Sequence, residues 1–291
     1  MARTIHFISG LPRSGSTLLA ALLQQNPRFR AGMSSPLAVL CERVLPVMGQ
    51  GEYAASFDDG ARLRVLRALF DAVLPAPPDP DPGPGAVTFD TNRAWCAHLR
   101  ILSRLEPRAR VVACVRDPVW ILDSFERVFR AEPFRVSRLH KLPASATVFE
   151  RAEQLMATTG AFGAAWAALQ DAYWGEHAHR LVLLDYDALV FEPQRSLDRL
   201  HRALELPPFR YDPAAVALRP AAAAAAAAFD AAVETPGLHH VRPVVSPPHR
   251  RCVLPPALLQ RLANTAFWRD APDRPAANPG GATIIAPDPP G

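Results

Sequence analysis

The 291-residue chain is 49% hydrophobic and carries four scattered cysteines with no CxxC pair, a composition that suits one substantial core and argues against disulfides or a zinc site. No apolar run approaches the roughly 20 residues of a membrane-spanning helix, and the first residues lack the apolar stretch of a signal peptide, so we expect a cytoplasmic protein with no membrane span. The formal net charge of +4 suits an anionic ligand without identifying it.

The first part of the chain alternates between a strand and helices before a proline-rich break. The β-branched and aromatic run at 4–9 predicts a buried strand. Helices are predicted at 18–25, from Ser35-Pro36 onward and at 58–74. Residues 75–85, PAPPDPDPGPG, hold too much proline for a helix or an inner strand and predict a surface connection.

The rest of the chain continues the alternation of strands with helices. Strands are predicted at 86–90, 109–115 and 180–186. Helices are predicted at 93–105, 118–130, 148–176 and 193–204. This order favours an α/β fold of one domain, residues 1–270, with a parallel sheet flanked by helices.

Two later stretches have an unusual composition. The alanine-rich residues 213–236 predict a lid or an insertion, within which 221–234 have high helix propensity. Residues 271–291 are rich in proline and glycine and predict a loosely ordered tail.

The segment from Gly10 to Thr17, GLPRSGST, lies between the first predicted strand and helix and has the outline of a phosphate-binding loop. Small residues let backbone N–H groups converge on an anion, and the helix directs its positive end at the same point. Side chains of the loop add three hydroxyls and one guanidinium: Ser14, Ser16, Thr17 and Arg13. An ATP- or GTP-splitting enzyme would carry a lysine where Ser16 stands, so the loop is predicted to hold a phosphate that is not itself transferred.

The loop resembles the 5′-phosphosulfate loop, P-[RK]-S-G-[ST]-T, of sulfotransferases that use 3′-phosphoadenosine 5′-phosphosulfate (PAPS), here residues 12–17. In that family an arginine ending a strand and a serine eight residues later bind the 3′-phosphate, and Arg116 and Ser124 have this spacing. The position of Arg116 fits independently, because parallel sheets bind ligands at the carboxyl ends of their strands. Arg127, one turn beyond Ser124, is placed to share the same anion.

Two further segments extend the resemblance over roughly residues 3 to 265. Residues 183–207 are similar to the family's V-x-Y-E-D-L-V-x-x-P segment, which brings Tyr186 near the nucleotide. Residues 237–245 are similar to the late loop that closes over the nucleotide, which makes Arg242 a candidate ligand. The implied donor-binding residues are Arg13, Ser14, Gly15, Ser16, Thr17, Arg116, Ser124, Tyr186 and Arg242.

The resemblance implies a P-loop-containing, sulfotransferase-like nucleotide-binding fold and transfer of a sulfonyl group from PAPS to a hydroxyl or amine. PAPS would be the donor co-substrate, and no metal is expected. The expected partner is a small-molecule or peptide acceptor, whose site we expect residues 33–48 and 131–147 to shape. The sequence predicts no oligomeric state.

The general base is the point at which the sequence departs from the family. In the tyrosylprotein branch a glutamate serves as base and a lysine supports it, and these fall on Ser34 and near Thr91, so that activity is not implied. Asp90, at a strand end, is the preferred base, with Arg93 orienting the acceptor or a sulfonyl oxygen and Arg13 stabilising charge on the bridging oxygen. The alternative is that Asp90 caps the next helix and pairs with Arg93.

Other titratable side chains are weaker candidates. Glu42 and His98 fit a solvated helix face. The histidine pairs 177/179 and 239/240 bring no convincing set of partner ligands, so no metal site is predicted.

Three other functions stay open. A small-molecule or nucleotide kinase would need the loop lysine and a magnesium carboxylate. A PAPS-binding protein without a catalytic base is compatible with Ser34. An arginine-rich nucleic-acid binder would need a basic stripe interleaved with aromatic residues, whereas these arginines are spread among acids, so nucleic acid is not an expected partner.

Overall fold

The computed structural model describes residues 4–74, 86–131, 142–143, 145–247, 250–269, 278 and 280–287. Within them six strands form one sheet: β1 (Thr4–Gly10), β2 (Phe29–Arg30), β3 (Val87–Thr91), β4 (Val111–Val115), β5 (Leu181–Asp185) and β6 (Thr283–Ile285). The strand order is β2-β3-β1-β4-β5-β6, and every neighbouring pair is parallel. The predicted α/β fold with a parallel sheet is confirmed.

Helices cover both faces of this sheet. In the described part of the chain they are α1 (Ser16–Leu23), α2 (Leu37–Gly49), α3 (Asp59–Val73), α4 (Leu99–Leu105), α5 (Pro118–Ala131), α6 (Val148–Met156), α7 (Gly163–Trp174), α8 (Tyr186–Phe191), α9 (Pro193–Ala203), α10 (Pro220–Ala232) and α11 (Pro256–Leu262). Short 3-10 helices span Glu52–Ser56, Arg93–His98 and Ala178–Arg180. Local chemistry explains several starts; for example, the Asp58 side chain caps α3 by accepting a hydrogen bond from the Ala61 N–H.

The strands divide the apolar core into two layers. Successive side chains of a strand point to opposite faces, so Phe7 and Ile8 of β1 enter different layers. One layer lies between the sheet and α2–α7 together with α11, and the other lies under α1, α8 and α9. All five residues of β4 are buried, as its unbroken apolar sequence predicts for a strand covered on both faces.

The predicted helix over 148–176 is wrong in its middle. The structure divides it into α6 and α7, and residues 157–162 turn between them. Gly160 is the reason, because its backbone lies so close to the Gln154 carbonyl oxygen that a Cβ there would come within 2.1 Å of it. Helical periodicity continues across this break and therefore hides it.

The predictions for the unusual stretches have different outcomes. Residues 220–232 form α10, which agrees with their helix propensity, whereas the role of a lid stays a prediction. The loosely ordered tail is wrong for Thr283–Ile285, which form β6 beside β5, because this β-branched run buries Ile285. The predicted connection at 75–85 and tail residues 271–277 lie outside the described residues.

Candidate active site

A cavity of about 420 Å³ lies at the carboxyl edge of the sheet. The chain leaves the sheet there at Gly10, Thr91, Val115 and Asp185, which end β1, β3, β4 and β5. After β1 the chain crosses to β2 and β3 on one side and then to β4 on the other, so the cavity lies at the point where the strand order reverses. Ligands of open parallel sheets bind at such a point.

Two glycines give the loop after β1 its shape. Gly10 has φ +102°, and a Cβ on it would lie 2.2 Å from the Cys114 carbonyl oxygen, which accepts a hydrogen bond from the Leu11 N–H at 2.9 Å. Gly15 has φ +88°, and a Cβ on it would lie 2.8 Å from the Tyr186 ring. Only glycine combines these φ values with such close approach, so the loop is held tightly against β4 and α8.

The N-terminus of α1 meets the cavity without a capping side chain. Gly15 is the N-cap residue and makes no side-chain cap, while Ser16 and Thr17 line the cavity. The first N–H groups of α1 therefore keep their capacity to bind an anion. Ser14, by contrast, is 1% exposed, donates to the Pro12 carbonyl at 3.3 Å and does not line the cavity.

Arg13 connects the loop to two other walls of the cavity. Its Nε donates to Ser124 Oγ at 3.0 Å, and its Nη1 donates to the Leu238 carbonyl at 2.6 Å. Burial lowers the pKa of Arg13, and the positive charges of Arg116 and Arg250 lower it further. An anion in the cavity would relieve this repulsion.

Arg116 follows β4 and lies over an aromatic ring. Its guanidinium carbon is 4.1 Å from the centroid of the Tyr186 ring, and its Nη1 donates to the Arg13 carbonyl at 3.3 Å. Its Nε is buried and makes no hydrogen bond within the described residues. Burial lowers the pKa of Arg116. The side chain is thus fixed in place with a donor to spare.

Arg250 is a third cation of this wall, which sequence reasoning missed. It lines the cavity, and its Nη2 lies 2.9 Å from Asp123 Oδ2 on α5. Its Nε is buried without a hydrogen-bond partner among the described residues. Arg127 also binds Asp123, with Nε to Oδ2 at 3.0 Å, and does not line the cavity, so the structure does not bring it to the predicted anion site. No sequence pattern singles out Arg250, because it lies in a loop and is one of many arginines in the chain.

Arg93 lies on the opposite side of the cavity. The 3-10 helix that carries it is capped by Asn92, whose side chain accepts from the Ala94 N–H at 3.0 Å. Ser9 Oγ donates to the Arg93 carbonyl at 2.8 Å, which ties this turn to β1. Arg93 is exposed overall. Burial by the surrounding protein nevertheless lowers the pKa of its guanidinium. It makes no ion pair with Asp90.

Asp90 is not positioned as predicted for a base. It is 3% exposed and does not line the cavity, and its Oδ2 accepts from Trp95 Nε1 at 2.7 Å. Burial raises the pKa of Asp90, while hydrogen bonds from Ser35 and Trp95 act in the opposite direction. Asn92, not Asp90, caps the following turn, so the alternative role is also wrong. The carboxylate is thus buried outside the cavity and bound to Trp95.

The two positions at which the chain departs from the tyrosylprotein branch, Ser34 and Thr91, lie side by side. Ser34 and Thr91 form an isolated parallel bridge, and both line the cavity. The Oγ1 of Thr91 is buried without a hydrogen bond to any described residue. Glu42 and His98, the weaker candidates, pair with each other at 3.2 Å outside the cavity.

The last wall comes from residues 237–246, which include Arg242 and two histidines, His239 and His240. Arg242 is exposed. His239 is half-buried and contacts a carboxylate, which sequence reasoning did not anticipate. In the part of the chain that the structure describes, no group of three or more His, Cys, Asp or Glu side chains is placed to hold a metal ion. Nor does any helix described there have the length and apolarity to cross a membrane.

The family model described as "Sulfotransferase family" matches residues 6–211, which include the loop, β4 and Tyr186. The chain belongs to the sulfotransferase family. The match ends before α10, so the wall formed by residues 237–246 lies beyond it.

Several solved structures are similar to this family member. The sulfotransferase domain from the curacin biosynthetic pathway is 19% identical, with 72% of this chain and 76% of that chain covered and a TM-score of 0.43. A sulfotransferase from Alicyclobacillus acidocaldarius is 16% identical, with 81% and 97% covered and a TM-score of 0.43. Sulfotransferase STF9 from Mycobacterium avium is 13% identical, with 99% and 79% covered and a TM-score of 0.46. No curated protein matches the sequence significantly.

Proposed function

We propose that this family member transfers a sulfonyl group from PAPS to a hydroxyl or amine of a small-molecule or peptide acceptor. One observation carries the proposal: Arg13, Arg116 and Arg250 meet the uncapped N-terminus of α1 at one cavity. Burial makes such a concentration of positive charge more costly, and a ligand with more than one anionic group stabilises it. PAPS has such groups at both ends of its ribose.

The residues present fit this co-substrate. The N–H groups at the start of α1 and the hydroxyls of Ser16 and Thr17 would hold the 5′-phosphate. Arg116, with its unpartnered Nε, and Ser124 would hold the 3′-phosphate. The distance between these two groups is bridged by the Arg13 side chain, which binds Ser124 from the loop.

The remaining assignments concern the transferred group and the nucleotide. PAPS supplies the sulfonyl group on its 5′-phosphate, and adenosine 3′,5′-bisphosphate leaves. Arg13 would stabilise the negative charge that develops on the bridging oxygen, and Arg93 would orient the acceptor or a sulfonyl oxygen. Tyr186 and Arg242 would contact the nucleotide from opposite walls.

Calorimetric titration tests the donor site. Adenosine 3′,5′-bisphosphate, AMP and Mg-ATP are titrated into the purified protein and into the Arg116→Ala and Ser124→Ala variants. Loss of one charged hydrogen-bonding group costs roughly 1.5–3 kcal/mol, so AMP binding to the wild type and bisphosphate binding to Arg116→Ala are both expected to be about 10- to 100-fold weaker.

The matched control is Arg130→Ala, which removes an arginine that binds Glu126 on α5 and does not line the cavity. Its bisphosphate affinity should equal that of the wild type. Equal binding of AMP and bisphosphate by the wild type would refute a PAPS site, and tighter binding of Mg-ATP would favour the kinase.

A further inference from the structure

The cavity lacks the carboxylate that a glutamate or aspartate base would supply. None of the described residues that line it is Asp or Glu, and Asp90 is buried outside it and bound to Trp95. Sulfonyl transfer to a neutral hydroxyl or amine releases a proton, which a group within hydrogen-bond reach of the acceptor must take. The described lining contains two imidazoles, His239 and His240, and only one of them has a carboxylate partner.

His239 is held twice by a buried aspartate. Asp230, 5% exposed on α10, accepts the backbone N–H of His239 with Oδ2 at 3.1 Å. Its Oδ1 lies 2.5 Å from Nδ1 of the same histidine. A carboxylate only accepts hydrogen bonds here, so Nδ1 carries the hydrogen and Nε2 keeps its lone pair. Nε2 makes no hydrogen bond with any residue that the structure describes.

The ring is also fixed by packing and lies beside the proposed catalytic arginines. It contacts Phe229 edge to face, with 5.1 Å between ring centroids and an interplanar angle of 89°. The preceding residue, Leu238, accepts a hydrogen bond from Arg13. The positive charges of both Arg13 and Arg93 are close enough to affect the imidazole. His239 therefore lines the same cavity as the two arginines proposed to act on the bridging oxygen and the acceptor.

We infer that His239 is the general base of the transfer reaction and that Asp230 positions it. The inference rests on the proposed function. The acceptor O–H or N–H bond breaks, and its proton passes to Nε2 of His239. The acceptor atom forms a bond to sulfur while the bond from sulfur to the bridging oxygen breaks, and that electron pair stays on the 5′-phosphate of the leaving bisphosphate. Asp230 then faces the imidazolium.

The charges around His239 set its protonation state. Burial lowers the pKa of His239, Asp230 raises it, and Arg13 and Arg93 lower it. The net direction is downward, so the imidazole is neutral at neutral pH and ready to accept a proton. The approach of an anionic donor would offset the arginine charges and make the imidazole more basic when the complex has formed.

The turnover test uses PAPS with 4-methylphenol, whose hydroxyl is neutral at pH 7, as acceptor and measures release of adenosine 3′,5′-bisphosphate. His239→Gln is expected to lower kcat by about 10²–10⁴-fold, the usual contribution of a general base. Bisphosphate affinity, measured by calorimetry, should stay within about twofold of the wild type because His239 does not supply the anion site. His240→Gln, a change of the neighbouring imidazole, should leave kcat within about twofold.

Asp230→Asn distinguishes positioning from a structural role. Without the carboxylate the pKa of His239 falls further, so the acid limb of the pH–rate profile should move to lower pH, with a smaller loss of kcat than in His239→Gln. A variant that merely loosened the segment would lose rate without moving this limb.

A second measurement needs no acceptor. In the ligand-free protein, ¹⁵N NMR of the imidazoles, assigned with His239→Gln, should show His239 neutral at pH 7 with its hydrogen on Nδ1. A protonated ring, the opposite tautomer, or wild-type turnover in His239→Gln would each overturn the inference. Those failures leave bisphosphate binding intact, whereas absence of 3′-phosphate-dependent binding would reject the proposed function itself.

Discussion

Arg151 and Arg116 are two buried arginines that are placed almost alike. Arg151 is buried on α6, with its guanidinium carbon 3.6 Å from the centroid of the Phe129 ring. Arg116 is equally buried and lies 4.1 Å from the Tyr186 ring. Arg151 binds both oxygens of Glu126, at 2.9 and 2.7 Å, whereas Arg116 forms no ion pair among the described residues.

The charge of Arg151 is neutralised within the fold, whereas the charge of Arg116 stays available for a ligand. Burial of a guanidinium costs free energy unless a partner and hydrogen bonds compensate for it. For Arg151 the protein supplies that partner, and Arg130 joins the same carboxylate at 2.7 Å. For Arg116 the protein supplies only an aromatic face and a carbonyl. Of these two buried arginines, the one that lacks a carboxylate is the one proposed to bind an anion.

The largest effect on stability is expected from breaking the ion pair between Glu126 and Arg151. Burial alone would raise the pKa of Glu126, but Arg151 and Arg130 together lower it, so the carboxylate is ionised. Glu126→Gln leaves Arg151 buried without its counter-charge and should lower the free energy of unfolding by about 3–5 kcal/mol. Urea denaturation measures this loss.

The matched control for this prediction is Glu153→Gln, which breaks the exposed pair of Glu153 with Arg261 and should change stability by less than about 1 kcal/mol. Equal losses of stability in Glu126→Gln and Glu153→Gln would contradict the distinction between the buried and the exposed ion pair. Neither variant should alter bisphosphate binding.

Arg116→Gln should behave in the opposite way. Ligand-free stability should change by less than about 1 kcal/mol, because no ion pair is lost and the burial of a charge is relieved. Bisphosphate at 100 times the wild-type Kd should stabilise the wild type by about 2.7 kcal/mol, but a variant that binds about 100-fold more weakly by only about 0.4 kcal/mol. Denaturation with and without the ligand checks both values. A large loss of ligand-free stability would mean that Arg116 is structural.

His6 shows how a buried base without a carboxylate partner behaves when it can give up its charge. It is 2% exposed, and its Nδ1 accepts the Arg110 N–H. Burial, with a smaller effect of Arg110, lowers the pKa of His6 from 6.5 to about 4. The unfolded chain binds this proton near pH 6.5 and the folded chain only near pH 4, so stability falls as the pH is lowered through this window.

The expected loss from His6 between pH 7 and pH 5 is about 2 kcal/mol. His6→Gln keeps an acceptor for the Arg110 N–H and should remove this part of the pH dependence. His179→Gln, a change of an exposed histidine, should keep the wild-type slope. Urea midpoints at the two pH values measure the difference, and a wild-type slope in His6→Gln would show that the pKa of His6 is the same in the folded and unfolded states.

The smallest effects are expected at the two stacked rings. Tyr186→Leu and Phe129→Leu each remove a cation–π contact that contributes about 0.5–2 kcal/mol. Tyr186→Leu should weaken bisphosphate binding several-fold, since the ring orients Arg116. Phe129→Leu should lower stability by about 1 kcal/mol without a change in binding. Calorimetry beside denaturation separates the two results, and a binding loss in Phe129→Leu would contradict them.

The position of the residues proposed to bind the donor could be predicted from the sequence because they stand next to strand ends. A glycine loop after β1 and Arg116 after β4 share the carboxyl edge once the strands are parallel. The local sequence indicates these positions, because an apolar strand followed closely by glycine or by arginine can be recognised from neighbouring residues alone. The geometry of Gly10 and Gly15 explains why these positions hold glycine.

The residues proposed to act on the acceptor could not be predicted in the same way. Asp90 lies one residue before the end of β3, close to the expected strand end, but its side chain contacts Trp95, and no sequence spacing predicts that rotamer and packing. His239 and Asp230 are nine residues apart across the end of α10, and nothing in an alanine-rich run indicates that one carboxylate will bind the later histidine twice. Their pairing depends on where the helix ends, which is the least predictable feature of a helix.

The pairing of β6 with β5 has a consequence for biosynthesis. Leu183 is paired with Ile284, so the outer edge of β5 is covered by residues made about a hundred positions later. At a translation rate of roughly 5–20 residues per second, β5 waits for its neighbour for roughly 5–20 seconds after it has been synthesised. During that interval its outer N–H and C=O groups are open to strands of other nascent chains. Slow elongation over the last third of the message would lengthen this exposure and lower the yield of native protein.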